Sequence, residues 1–164
     1  METFYLVVVA FLLFLAVFDM FVGVSNDAVN FLSSAVGSKA ATFRTVLVIA
    51  AVGILVGTAT SSGMMDIARH GVLRPQNYMF SEVMCIFLAV VCADILILDI
   101  FNSLGLPTST TVSMVFELFG GASAMAVIKL AHDTTGLFSY ADYINTEKVL
   151  SVIMAIFVSV AIAF

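Results

Sequence analysis

The strongest constraint on this chain lies in residues 19–39, DMFVGVSNDAVNFLSSAVGSK, a polar stretch set in long apolar sequence. Within it stand Asp19, Gly23, Ser25, Asn26, Asp27, Asn30, Ser33, Ser34, Gly37, Ser38 and Lys39. Each unpaired polar group in hydrocarbon costs several kcal/mol, so a lipid-facing span excludes such groups. A soluble protein has no use for so much apolar sequence around them. The combination fits a polar site held between membrane helices, where ionisable residues mark function by default.

Composition supports the membrane side of that argument. The chain is 62% hydrophobic and 10% charged, against roughly 25% charged in an ordinary soluble domain. It cannot cover itself with a charged surface, which implies an all-α, multi-pass protein of the cell membrane in contact with the lipid bilayer. The net charge is −5, and no cluster of Lys and Arg offers a nucleic-acid surface. Cys85 and Cys92 lie seven residues apart in one apolar run, as free thiols on one helix face.

Residues 3–18 form the first apolar run, with neither a basic leader before it nor a small-residue cleavage site after it. With the residues to about Val24 it is long enough to cross a bilayer. The helix is expected to unwind near Gly23, Ser25 and Asn26, to resume over about 27–36 and to end at Gly37 and Ser38. This makes 19–39 the first polar helix break. A second span covers about 43–65 and carries Gly53 and Gly57, a spacing that permits close helix approach. Residues 66–80 are expected to be a loop at the membrane face, with Asp66 and Arg69 able to pair across one turn.

The third span covers about 81–101 and contains Glu82, Asp94 and Asp99. The first and last can sit near its ends. Asp94 lies deeper, either near a donor on a neighbouring helix or as a proton or coupling-ion site. Residues 101–121, FNSLGLPTSTTVSMVFELFGG, form the second polar break, because Asn102, Gly105 and Pro107 interrupt a helix. Ser109, Thr110 and Thr111 stand where hydroxyls cap the next helix. That helix carries Glu117 and ends near Gly120 and Gly121 or resumes to Leu130. Residues 131–148 are polar, with His132 at an interface and 133–136 in a loop, and the last span starts near Glu147. The Lys and Arg residues balance between the two sides of the second span, so orientation stays open. The last helix runs to Phe164 without a polar tail, and the spans are few for a solute carrier, so the chain is expected to be the N-terminal part of something longer.

Two broken helices rich in small polar residues suit a midplane binding site, with helix N-termini facing an anion and carboxylates holding a cation. A dianion such as phosphate must shed water, so it needs several N–H and O–H donors together. Ser109, Thr110 and Thr111 suit this at the second break. Asn26 and Asn30, four apart, offer amides from one helix face at the first. Asp27 repels an anion and suits Na+ or a proton, because hard cations prefer carboxylate, amide and carbonyl oxygens. The plainer alternative is that these groups only glue helices together, at about 1 kcal/mol each. No metal-ligand, nucleophile or phosphate-loop motif is present, which argues against an enzyme.

At these residues the chain resembles the inorganic phosphate transporter (PiT) family, cation-coupled phosphate permeases. Its first signature has the form G-x-N-D-x-x-N, and this chain reads Val24-Ser25-Asn26-Asp27-Ala28-Val29-Asn30. Its second has the form P-x-S-[ST]-[ST]-H-[ST], and this chain reads Pro107-Thr108-Ser109-Thr110-Thr111-Val112-Ser113. Val24 stands where the family has Gly, and Val112 where it has His. The resemblance implies phosphate contacts at Asn26, Asn30, Ser109, Thr110 and Thr111, and a coupling-cation role for Asp27 and Ser113. It implies no cofactor beyond Na+ or H+ as coupling ion. The family carries its motifs twice, in two inversely oriented halves. With one copy of each, this chain resembles the N-terminal half of an inverted-repeat transporter, whose partners are a C-terminal half and a second copy in a homodimer. Alternatives are a carrier of another oxyanion such as sulfate, a non-transporting packing domain, and a pore using Gly57 and the hydroxyls of 58–62.

Overall fold

The computed structural model describes residues 2–61, 71–106, 108–133 and 136–163. The described residues are helical, apart from loops and one isolated antiparallel bridge between Leu73 and Ile144. Helix α1 covers Glu2–Gly37, α2 Phe43–Thr60, α3 Phe80–Leu104 and α4 Thr110–His132. A single turn, α5, covers Tyr140–Tyr143, and α6 covers Thr146–Ala163. Five of these are long and apolar enough to cross a membrane: α1, α2, α3, α4 and α6. The protein is an all-α, multi-pass membrane protein.

Helix α1 does not unwind near Gly23, Ser25 and Asn26, and in this the structure corrects the expectation from sequence. It is continuous over 36 residues, roughly 54 Å at 1.5 Å per residue, against about 30 Å of hydrocarbon. Three features remove the need for a break. Ser25 Oγ donates to the Phe21 carbonyl at 2.8 Å and Ser33 Oγ to that of Val29, so these hydroxyls are satisfied on their own helix. Gly23 lies against side chains, with Thr110 and Leu98 at 3.9 and 4.0 Å from where a Cβ would stand. The Asn26 amide finds a partner across space, described below. The helix ends at Gly37, where the sequence placed its stop, and Lys39 turns left-handed at φ 54°.

By internal contacts the chain divides into two compact units, one of residues 1–63 and 91–113, the other of residues 64–90 and 114–164. In the first, α2 is capped by Thr42, whose hydroxyl accepts from the Thr45 N–H at 3.3 Å. Neither Gly53 nor Gly57 has an atom within 4 Å of its Cβ position, so the close approach their spacing permits is not made among the described residues. Asn102 does not stop α3, which runs on to Leu104. There Gly105, at φ 65°, takes a backbone conformation that favours glycine. The interruption between α3 and α4 is therefore narrower than 101–121, and Pro107 lies outside the described residues.

In the second unit α3 and α4 pack through small residues. Ala122 and Ala126 are wholly buried, and the Cβ position of Gly121 lies 3.5 Å from methyls of Ile86 and Val90. Helix α4 continues through Gly120 and Gly121 to His132 without stopping. Residues 71–79 are not a simple surface loop. Val72 and Leu73 belong to the core, and Arg74 N–H and Asn145 N–H bond the carbonyls of Tyr143 and Val72, each at 3.0 Å. The expected Asp66–Arg69 pair lies outside the described residues. Lys129 Nζ reaches both Glu82 oxygens at 2.9 and 2.7 Å and sits over the rings of Tyr78 and Tyr143. Burial and the neighbouring Tyr140, Glu82 and Tyr143 push the Tyr78 phenol up to about 12.

Candidate functional site

The middle of α1 meets the interruption between α3 and α4 inside the first unit. Because α1 stays helical, the four-residue spacing puts Asn26 and Asn30 on one face. Both amides converge on one acceptor, the backbone carbonyl of Thr108, at 3.0 and 2.7 Å. A carbonyl oxygen has two lone pairs, and here each receives one N–H. The neighbouring Asp27 accepts from the Thr110 hydroxyl, with distances of 3.2 and 3.4 Å to its two oxygens. The Asn26 amide nitrogen also lies 3.5 Å from Asp27 Oδ1, at the limit for a hydrogen bond.

Thr110 opens α4, and the residues around it make an N-terminus whose N–H groups are only partly satisfied by their own helix. Ser109 caps it: its hydroxyl accepts from the Val112 N–H at 3.4 Å, and its carbonyl accepts from the Ser113 N–H at 3.0 Å. Ser109 and Thr111 are exposed, while Thr110 and Ser113 are half-buried. Asn26 is buried at 1% exposure, Asp27 is half-buried and Asn30 is exposed. The buried amide of Asn26 is thus matched to a carbonyl, without which it would be costly in an apolar surround.

Two hollows flank this stretch of α1. One, of about 450 Å³, is lined by Ser25, Asn26, Asn30, Ser33 and Asn102 together with Val29, Gly105 and Leu106. Its polar groups are neutral amides and hydroxyls. The other, of about 440 Å³, has Asp27 and Thr58 in an otherwise apolar wall that includes Gly53 and Phe31. The midsection of α1 therefore presents neutral donors on one side and a carboxylate on the other. Among the described residues no group of three or more His, Cys, Asp or Glu forms a metal centre.

Structure brings Asn26, Asp27, Asn30, Thr110 and the Thr108 backbone into direct contact and places Ser109, Thr111 and Ser113 on the adjoining turn of α4. Two participants escaped the sequence argument. The Thr108 carbonyl is a backbone group, and no side-chain pattern announces it. Asn102 was legible only as a helix interrupter, yet it lines the polar hollow. Asp94, singled out from sequence as a deep carboxylate, is 5% exposed and faces Asp19 within hydrogen-bonding reach, a pairing of distant positions that spacing cannot supply.

Long apolar helices surround a polar contact between the middle of α1 and the start of α4, an arrangement that fits a membrane transporter. Residues 23–164 match the phosphate transporter family, and the chain belongs to that family. The matched region takes in both motifs, α2 to α4 and the last span. No curated protein and no solved structure matches the chain.

Proposed function

We propose that the protein carries inorganic phosphate across the membrane as a secondary active transporter, coupled to Na+ or H+. The observation that carries this reading is the convergence of the two motifs. Asn26, Asp27 and Asn30 of α1 bond Thr108 and Thr110, at the point where α4 begins. Phosphate is met by the α4 N-terminus with Ser109, Thr110 and Thr111, and by the amides of Asn26 and Asn30. Such neutral donors and a helix dipole suit a dianion that must give up its water. Asp27, with Ser113 on the next turn, supplies the coupling cation with hard oxygen ligands or a proton acceptor.

The same reading makes this chain one half of an inverted-repeat carrier that assembles with a second half and as a dimer. Asn30 and Ser34 are exposed on α1. In hydrocarbon such a face needs protein or water against it, and an inversely oriented second half would provide it.

The test is equilibrium binding of labelled phosphate to the full-length protein in detergent, with and without Na+, across pH, beside Asp27→Asn. Binding that needs Na+ and is lost in the variant assigns sodium coupling. Binding that ignores Na+ but follows pH assigns proton coupling. If sulfate displaces the label as well as phosphate does, the substrate assignment fails.

A further inference from the structure

The amide donors that the proposed function assigns to the anion are already engaged in part by the chain itself. Each Asn amide nitrogen has two N–H groups. Asn26 directs one at the Thr108 carbonyl and lies 3.5 Å from Asp27 Oδ1 with the same nitrogen. Asn30 directs one at the same carbonyl, over a shorter 2.7 Å. Thr108 in turn precedes Ser109 and Thr110, the cap and first residue of α4. An anion in the polar hollow lined by Asn26, Asn30 and Asn102 would meet these amides while they are bound to that carbonyl.

We infer that Asn26 and Asn30 exchange the Thr108 carbonyl for the anion, so that anion binding releases the α3–α4 interruption from α1. The inference rests on the proposed function and adds a coupling step to it. The carbonyl mimics one anion oxygen: it presents lone pairs to two N–H groups at hydrogen-bonding distance. A phosphate oxygen carries more negative charge and makes charge-assisted bonds, which are roughly twice as strong as neutral ones. Phosphate therefore outcompetes the carbonyl once it is seated, and the carbonyl turns away. The segment that moves carries the α4 N-terminus. Meanwhile the Thr110 hydroxyl on Asp27 ties the same segment to the cation side of α1. Anion occupancy on one side of α1 is thereby linked to the geometry at Asp27 on the other.

Backbone amides around the interruption report on this directly. Gly105 N–H bonds the Asn102 carbonyl at 3.1 Å, Leu106 N–H that of Phe101 at 2.9 Å, and Val112 N–H the Ser109 hydroxyl at 3.4 Å. Hydrogen exchange of the full-length protein in detergent is followed with and without saturating inorganic phosphate, and phosphate binding is measured on the same samples by calorimetry. Phosphate is expected to speed exchange at Gly105 and Leu106 by about fivefold or more, the equivalent of one net hydrogen bond or more. Asn30→Ala is expected to speed Gly105 and Leu106 without phosphate and to reduce the further effect of adding it. Phosphate binding that leaves Gly105 and Leu106 unchanged or slower overturns the exchange and leaves the proposed function standing, with the asparagines as permanent clamps. Absence of phosphate binding under every cation and pH condition overturns the proposed function, and the exchange with it.

Discussion

Replacing Gly121 by alanine and by valine should move stability in opposite directions. The Cβ of an alanine at this position would stand 3.5 Å from Ile86 Cγ2 and Val90 Cγ2 and 3.7 Å from the Ile86 carbonyl oxygen. Those are ordinary van der Waals distances, so alanine fits without moving its neighbours. It also removes the backbone freedom of a glycine inside a helix, worth about 0.8–1.0 kcal/mol. Valine adds two methyls beyond that Cβ, toward a wall already at contact distance. Overpacking of this kind costs about 1–3 kcal/mol. For a chain of this size 1 kcal/mol corresponds to about 2–4 °C in Tm. Gly121→Ala should therefore raise the Tm by up to about 2–4 °C, and Gly121→Val should lower it by at least about 2 °C. The adjacent Gly120 provides the control. It has nothing within 4 Å of its Cβ position, so Gly120→Val should stay within about 1–2 °C of the parent, as an unconstrained site does. The assay is thermal unfolding in detergent followed by size-exclusion recovery. If Gly121→Val proves as stable as Gly121→Ala, the close approach of α3 and α4 at this residue is refuted.

Other perturbations test the remaining contacts. A double-mutant cycle on Glu82→Gln and Lys129→Met should give a coupling of about 1 kcal/mol, the upper end for an exposed pair, because both side chains are about one-fifth exposed; additive single mutants would remove the ion pair as a stabilising link. The Tyr78 phenol is raised to about 12 in the folded protein, so the folded state holds its proton where the unfolded chain, near 10, releases it. The stability this contributes is complete below about pH 10 and is lost as pH rises from there to about 12. Tyr78→Phe should flatten that alkaline fall in Tm, and an unchanged slope would dissociate it from Tyr78. Ser109→Ala removes the cap on Val112 and should speed amide exchange in the first turn of α4, at a cost near the low end of the usual 0.5–2 kcal/mol because the bond is long at 3.4 Å; unchanged exchange there would deny the cap.

The transporter class and the second interruption were legible because they depend on composition and on residues that act locally. Five apolar runs give five candidate spans, and Gly105 ends α3 through its own backbone preference. The first interruption was misjudged for a physical reason. Polar residues inside apolar sequence imply a break only if their needs cannot be met with the helix intact, and in α1 they are met. Serine returns its hydroxyl to a carbonyl four residues back, as Ser25 and Ser33 do. Asn26 cannot do so, and its partner lies 82 positions away. No local pattern carries that number. The same residue types at the same spacing would read alike in an unwound segment and in an intact helix facing a carbonyl. What separates the two cases is the second motif. With Thr108 beside α1, the helical i, i+4 spacing brings Asn26 and Asn30 to the same oxygen without unwinding α1. The site was therefore readable as two halves, and its geometry belongs to their meeting.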